Sequence, residues 1–235
     1  RGICGQKKIG HTGTLDPDAE GVLPVCLGKA TKVCDMLTDS DKVYRAVMQL
    51  GIETDTQDLT GTVLSACEVP VLTETEIRDV IRTFQGKIMQ VPPMYSALKV
   101  NGQKLYDLAR QGKTVERKPR AITVYELELL EQSAPDEFAL RVVCSKGTYI
   151  RTLCHDIGQA LGCGGAMYSL RRTMAAGFTA DETVTLEEVQ AKGEDLLLPT
   201  DSLFSEHPIL FLKSAKAEKR VRCGNPITLP EIPDG

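Results

Sequence analysis

The sequence predicts an α+β fold, a mixed and largely antiparallel sheet flanked by helices. Three observations carry that prediction. Several short runs alternate apolar with polar residues, as half-buried strands do. Other runs place apolar residues at helical spacing between capping residues and glycines. The two kinds of run are interspersed without strict β-α-β alternation, and two strand runs are joined by a turn, which favours antiparallel neighbours. A chain of 235 residues with 42% apolar side chains can bury a core for one large domain or two small ones.

Val43-Tyr44-Arg45-Ala46-Val47-Met48-Gln49-Leu50 alternates and is closed by Gly51, so it predicts a strand. Residues 62–67 are a shorter candidate. Thr73 with Glu76 three residues later reads as a capping box, ahead of a helix with Ile77, Val80, Ile81 and Phe84 on its apolar face and Gly86 as its stop. Val91-Pro92-Pro93-Met94 suits neither helix interior nor central strand, because two prolines remove two donors. Residues 105–111 predict a short basic helix ended by Gly112. Residues 122–130 and 138–144 both alternate, and a turn over 132–137 makes them an antiparallel pair. Ile150, Leu153, Ile157 and Leu161 share one helix face, with Gly162 as terminator. Residues 166–172 read as another strand and 186–191 as another helix. There is no internal repeat. A weak domain boundary falls at Glu206-His207-Pro208, beyond which too few residues remain for an independent core.

The longest run without a charged side chain, residues 157–170, is too short to cross a bilayer, and no secretory signal opens the sequence. Among the eight cysteines no pair stands two to five residues apart, the usual spacing of zinc ligands, so no metal site is expected. The cysteines read as reduced, buried thiols of a cytoplasmic protein. The net charge of −4 hides blocks: residues 99–120 carry +5, residues 141–172 carry +4 and residues 181–206 carry −7. Standing alone, such runs read as solvated faces. Together they allow a basic face with an acidic back, and phosphate binding needs a local cation excess of that kind.

The densest segment is residues 7–24, with three glycines, two prolines, three acids and a histidine, so it reads as a loop of prescribed backbone shape. Asp16 is its candidate reactive group. A calcium loop starting there fails at its twelfth position, which is Leu27 instead of a bidentate glutamate. A phosphoryl-transfer Asp-x-Asp motif lacks the apolar strand leading into it. The remaining local readings are a lone carboxylate nucleophile and an aspartate capping a turn before Pro17, and the local pattern favours the cap.

A wider comparison of motifs changes that balance. Gly10-His11-Thr12-Gly13-Thr14-Leu15-Asp16-Pro17, followed by Gly21-Val22-Leu23-Pro24, resembles the signature of the TruB family of tRNA pseudouridine synthases. Asp41-Lys42-Val43-Tyr44-Arg45, Thr54-Asp55-Thr56-Gln57-Asp58, Pro93-Met94-Tyr95-Ser96-Ala97-Leu98-Lys99, Lys146-Gly147-Thr148-Tyr149-Ile150-Arg151 and Leu170-Arg171-Arg172 follow in family order. The resemblance implies the pseudouridine synthase fold, and a tRNA pseudouridine-55 synthase of the bacterial type that isomerises a T-loop uridine after flipping its base. It implies Asp16 as nucleophile, Arg151 as the cation that pairs with it, and Tyr44 as the residue that stacks on the base and takes a proton. It further implies Asp58 as an orienting acid, His11 as the ring that fills the gap left in the T-loop, and Leu170 and Tyr149 at the base pocket. A ring stacked in RNA contributes about 1–3 kcal/mol, comparable with the cost of flipping a base.

By the same resemblance, residues 99–120 are the insertion that clamps the T-arm, with Lys99, Lys104 and Arg110 facing phosphate. No cofactor, metal, guide RNA or membrane is expected, and the enzyme is expected to be a monomer. The family opens with a strand and a Lys-Pro-x-Gly segment ahead of the matched region, so residues 1–206 are expected to be a catalytic domain incomplete at its N-terminus. Residues 207–235, with Lys213, Lys216, Lys219, Arg220 and Arg222 against Glu218, resemble the opening of a PUA-like RNA-binding domain.

Overall fold

The computed structural model describes residues 2–212 and 214–227. Its centre is a seven-stranded sheet in the order Phe178–Thr179, Gly165–Ala175, Lys42–Leu50, Glu137–Cys144, Arg120–Ala134 and Gly86–Gln90, with Glu20–Gly21 added beside Gly165–Ala175. All ladders are antiparallel except the last, in which Arg171 and Arg172 pair in parallel with Glu20 and Gly21. This is the mixed, largely antiparallel sheet of an α+β fold.

Alternation sets the faces of this sheet. Tyr44, Ala46, Met48 and Leu50 are buried, and the next strand adds Phe138, Leu140 and Val142 on the same side. Helices Glu74–Arg82 and Ile150–Ala160 cover that side, contributing Ile77, Ile81, Leu153 and Ile157 to the same core. The first helix starts with the expected capping box, Glu76 N–H donating to Thr73 Oγ1 and Thr73 N–H to Glu76 Oε2. The opposite face is polar, with Arg45 paired to Glu131 across strands and Arg141 to Glu126.

Several elements differ from expectation. The turn read over 132–137 shrinks to Pro135 and Asp136, because the ladder, with three irregularities along it, continues through Gln132 and Phe138 to pair Ala134 with Glu137. Gly86 does not cap the helix, which ends at Arg82; at φ 93° it opens an edge strand, Gly86–Gln90. A small hairpin, Lys99–Val100 with Gln103–Lys104, turns through Asn101 and Gly102, both at positive φ as a two-residue hairpin turn requires. It leads into helix Leu105–Arg110, whose Leu105 and Leu108 pack on Met94 in a separate small core.

The chain divides into two compact units, residues 1–193 and 194–235. The division falls ahead of the boundary expected at Glu206-His207. A proline marked that expectation, whereas the first unit ends where the capped helix Leu186–Lys192 stops at Gly193, at φ 56°. In the second unit helix Ala215–Arg222 carries the basic residues of the expected PUA-like segment, with Ser214 capping it. Lys213 and residues 228–235 of that segment lie outside the described residues.

Candidate active site

Two short strands, Ile9–His11 and Val25–Leu27, pair antiparallel and pinch the glycine-rich segment into a loop over residues 12–24. Thr12 N–H donates to the Pro24 carbonyl at 3.2 Å, closing its neck. Inside it, Ala19 N–H donates to the Asp16 carbonyl at 3.0 Å, a turn with Pro17 at the position that favours proline. The turn is therefore closed by the backbone of Asp16. Its side chain is left for something else, which removes the capping role that the local pattern favoured.

That partner is Arg151, in the first turn of helix Ile150–Ala160. Its Nε lies 2.9 Å from Asp16 Oδ2 and its Nη2 donates to Oδ1 at 3.0 Å, a bidentate pair. The Arg151 side chain is 6% exposed and that of Asp16 37%, so the cation is buried and the carboxylate is open to the cavity. The remaining donors are occupied too. Nη1 donates to the Thr56 carbonyl at 2.9 Å and Nη2 to the Tyr95 carbonyl at 2.8 Å. A guanidinium held from three sides presents its fork to Asp16 in one orientation.

Asp58 supports this arrangement from the far side, its Oδ2 standing 3.6 Å from Arg151 Nη1. Its Oδ1 accepts from Thr56 Oγ1 at 2.7 Å, Thr60 Oγ1 at 2.6 Å and Thr60 N–H at 3.0 Å, which fixes the carboxylate plane. The chain reaches this position through Gln57, at φ 65°, whose side-chain oxygen accepts from Thr152 Oγ1 at 2.7 Å.

A cavity of about 830 Å³ opens over the pair, within the ~300–1,000 Å³ usual for ligand pockets. Of the residues singled out in the sequence, Asp16, Tyr44, Asp58, Tyr149, Arg151 and Leu170 all line it, and Arg110 reaches its edge. Burial, and then Cys144, raise the Tyr44 phenol above its ordinary pKa, against an opposing pull from Arg172. Burial raises the Tyr149 phenol as well. Lys99 and Lys104 are not part of this lining. With Arg110 they surround a separate, shallower depression, where Lys104 and Arg110 both lie over the Tyr106 ring. His11 is exposed at the end of its short strand, outside the lining, with Nδ1 accepting from Gly13 N–H at 3.3 Å. Among the described residues no group of three or more His, Cys, Asp or Glu is placed to hold a metal ion.

Three further residues shape the site and were not singled out as site residues. Gln90 is 2% exposed and exchanges two hydrogen bonds with the backbone of Tyr149, at 2.8 and 3.0 Å, where the helix bearing Arg151 begins. Lys42 lines the cavity while donating to the Thr38 and Ser40 carbonyls, and burial, with Arg172 next, lowers its pKa. Arg172 also lines the cavity and is 1% exposed. Only the motif spacing around Lys42 and Arg172 hinted at them; nothing in the sequence marks Gln90, since its partner is backbone.

The profile described as TruB family pseudouridylate synthase (N terminal domain) matches residues 1–150, and that described as tRNA pseudouridylate synthase B C-terminal domain matches residues 151–205. The chain belongs to the TruB family. It is thus a pseudouridine synthase, an isomerase. Among TruB relatives, the tRNA pseudouridine synthase B of Alkaliphilus oremlandii is 50% identical over 223 residues, covering 94% of this chain and 74% of the relative. That of Lachnoclostridium phytofermentans is 54% identical over 225 residues, covering 91% and 73%. Among solved structures, a Cbf5-Nop10-Gar1 complex matches with TM-score 0.65 and 33% identity, over 86% of this chain and 54% of that chain. An H/ACA RNP bound to a substrate RNA containing 2'-deoxyuridine matches with TM-score 0.59 and 30% identity. This TruB chain spans about half the length of those two solved chains.

Proposed function

We propose that this enzyme isomerises uridine 55 in the T-loop of tRNA to pseudouridine, with Asp16 as the nucleophile. The bidentate Asp16–Arg151 pair lining the cavity carries this reading, and the names of the relatives, tRNA pseudouridine synthase B, support the substrate class. An aspartate is ionised at neutral pH and needs aiming more than activation, and the Arg151 fork aims it. The base must leave its stack to reach a carboxylate at the bottom of a loop, which costs a few kcal/mol. His11, exposed beside the loop neck, stacks in the gap left by the base in this reading. Tyr44 and Leu170, on neighbouring strands, form the walls between which the uracil turns.

The reaction is atom-neutral. An Asp16 oxygen bonds to the target nucleotide as the base–ribose C–N bond breaks, and that bond is released when a C–C bond forms at a ring carbon; the carbon gives up its hydrogen and the freed ring nitrogen takes a proton. Tyr44 is the group facing the base: its phenol hands its proton to the freed ring nitrogen, and the phenolate so formed takes the carbon's proton. The basic depression of Lys99, Lys104 and Arg110 holds phosphates of the T-arm, and the basic helix Ala215–Arg222 adds an RNA contact as the opening of a PUA-like domain. The enzyme acts as a cytoplasmic monomer on bare tRNA, with neither guide RNA nor cofactor.

The test is pseudouridine formation on an unmodified tRNA transcript with no other RNA present, comparing the full-length protein with Asp16→Asn. The wild type is expected to modify position 55 alone, and the variant to lose roughly 10⁴-fold or more in rate while still binding tRNA. Equal yields from the two proteins would remove Asp16 from the mechanism. Turnover that appears only when a guide RNA is added would transfer the enzyme to a guided class.

A further inference from the structure

We propose that Arg172 is a positioning residue: one buried guanidinium staples both ends of the Asp16 loop to the strand beside Tyr44, and so sets where the nucleophile stands across the cavity. The inference rests on the functional reading above. Arg172 Nε donates to the Val22 carbonyl at 2.7 Å and Nη2 to the Gly13 carbonyl at 3.1 Å. Those two carbonyls bracket Asp16, one on each side in sequence. The backbone of Arg172 joins in, its carbonyl accepting from Val22 N–H at 2.9 Å and its position pairing with Gly21 on one side and Tyr44 on the other.

The environment of this cation is unusual. At 1% exposure it is among the most deeply buried large side chains of the protein, yet among the described residues it pairs with no carboxylate. Buried arginines are ordinarily paired with an acid. Here loop carbonyls take that place, so the charge is solvated by the segment whose shape it holds. One loop glycine follows from the same contact: a Cβ at Gly21, already at φ 108°, would lie 2.1 Å from the Arg172 carbonyl oxygen. At Gly13 the backbone, at φ 136°, favours glycine, and a Cβ there would meet Nη1 only at an ordinary contact distance of 3.7 Å. A planar fork reaches two carbonyls at once, and a lysine ammonium on a flexible stem does not hold that geometry.

The experiment combines hydrogen exchange with kinetics, on the full-length protein and its Arg172→Met and Arg172→Lys variants. Loosening of the loop is expected to raise amide exchange over residues 13–22 by about tenfold or more while residues 43–50 keep wild-type protection. On unmodified tRNA, kcat is expected to fall about 100-fold for Arg172→Met and about tenfold for Arg172→Lys, with KM within about threefold of wild type. If Arg172→Met does not fold, Arg172→Lys decides. Wild-type loop exchange in Arg172→Lys overturns the proposal, and so does a loosened loop with unchanged kcat, or a loss confined to KM. A wild type without turnover on tRNA sinks the functional reading, and the exchange comparison then still judges the staple by itself.

Discussion

Asp16 and Arg151 lie 135 residues apart in the chain and meet through two contacts, at 2.9 and 3.0 Å, with the guanidinium the buried partner. Four donor contacts of one arginine thus gather three chain segments: the Asp16 loop, the Thr56 turn and the Tyr95 segment. Arg151→Lys keeps the charge and loses the fork. It is expected to lower kcat on tRNA by ~100-fold or more through misplacement of Asp16. Arg151→Met additionally removes the cation beside Asp58 and the donors to the part-buried Thr56 and Tyr95 carbonyls. Its unfolding midpoint in urea is expected to fall by the equivalent of ~3 kcal/mol, the lower end for breaking a buried pair because Asp16 is partly solvated. A Lys variant with wild-type kcat would show that charge alone suffices.

Gln90 and Tyr149 make the equivalent link for the backbone. The amide acts as one rung of a ladder, accepting from Tyr149 N–H and donating to its carbonyl. Gln90→Leu preserves the approximate volume and leaves the Tyr149 N–H without a partner, while the Tyr149 carbonyl keeps the Leu153 N–H at 3.0 Å, an expected loss of ~1–3 kcal/mol for one orphaned group. Gln90→Glu keeps the acceptor and loses the donor, and near neutral pH its carboxylate is a buried charge, so it is expected to lose stability at pH 7. Urea titrations of both variants at pH 7 and pH 5 separate these cases: Gln90→Glu, and not Gln90→Leu, is expected to regain stability at the lower pH, where its carboxyl can donate.

How much of this was legible in the sequence depends on whether a side chain or the backbone carries the contact. Strand Lys42–Leu50 and helix Ile150–Ala160 follow from alternation and helical spacing, because each buries one face against the other. The edge strand Gly86–Gln90 did not. Only Gln90 of its five residues is buried, so no apolar period marks it, and pairing with residues 120–124 alone makes it a strand. Motifs brought Asp16, Arg151 and Tyr44 to notice as reactive types. Gln90, Lys42 and Arg172 act on main-chain carbonyls and amides, which every residue carries, and residue type cannot reveal such partners. The local pattern erred on Asp16 for a related reason: the turn before Pro17 is real, but the Asp16 carbonyl closes it and the side chain does not.

The two kinds of glycine in this fold are expected to respond differently. Gly21→Ala meets both a positive φ of 108° and a main-chain oxygen 2.1 Å from the new Cβ. Neither neighbour is a flexible side chain, so the parallel pairing with Arg172 must separate. A loss of ~3 kcal/mol or more is expected, together with a fall in kcat. Gly147→Ala, at φ 79° with nothing within 4 Å, meets only the backbone preference, and ~1 kcal/mol is expected with kcat close to wild type. Thermal melts and initial rates of the two variants check the contrast. Equal losses would mean that conformational strain outweighs the close approach.

Alkaline pH is expected to destabilise the fold through thiols that take no part in the reaction. Burial pushes Cys144 up to about 11 and Cys154 up to about 12, from an ordinary value of 9.0. Burial raises Tyr44 above 10.0 in the same direction. Each of these groups is neutral when protonated, so its folded form keeps a proton that the unfolded chain gives up. Above pH 9 the unfolded state therefore binds fewer protons than the folded one, and stability falls as pH rises. The stabilisation is fully present below the unfolded value and is lost progressively up to the folded one, a window of about 9 to 12 for Cys154. At ~1.4 kcal/mol per unit of pH for each titrating group, the loss between pH 9 and pH 10.5 is expected to be ~2 kcal/mol or more from the two thiols together. Urea titrations across that range measure it. The Cys144→Ala, Cys154→Ala double variant starts less stable at pH 7 because it leaves small cavities, but its slope against pH is expected to be shallower. An unchanged slope would place the alkaline sensitivity elsewhere, with Tyr44 the next group to replace, as Tyr44→Phe.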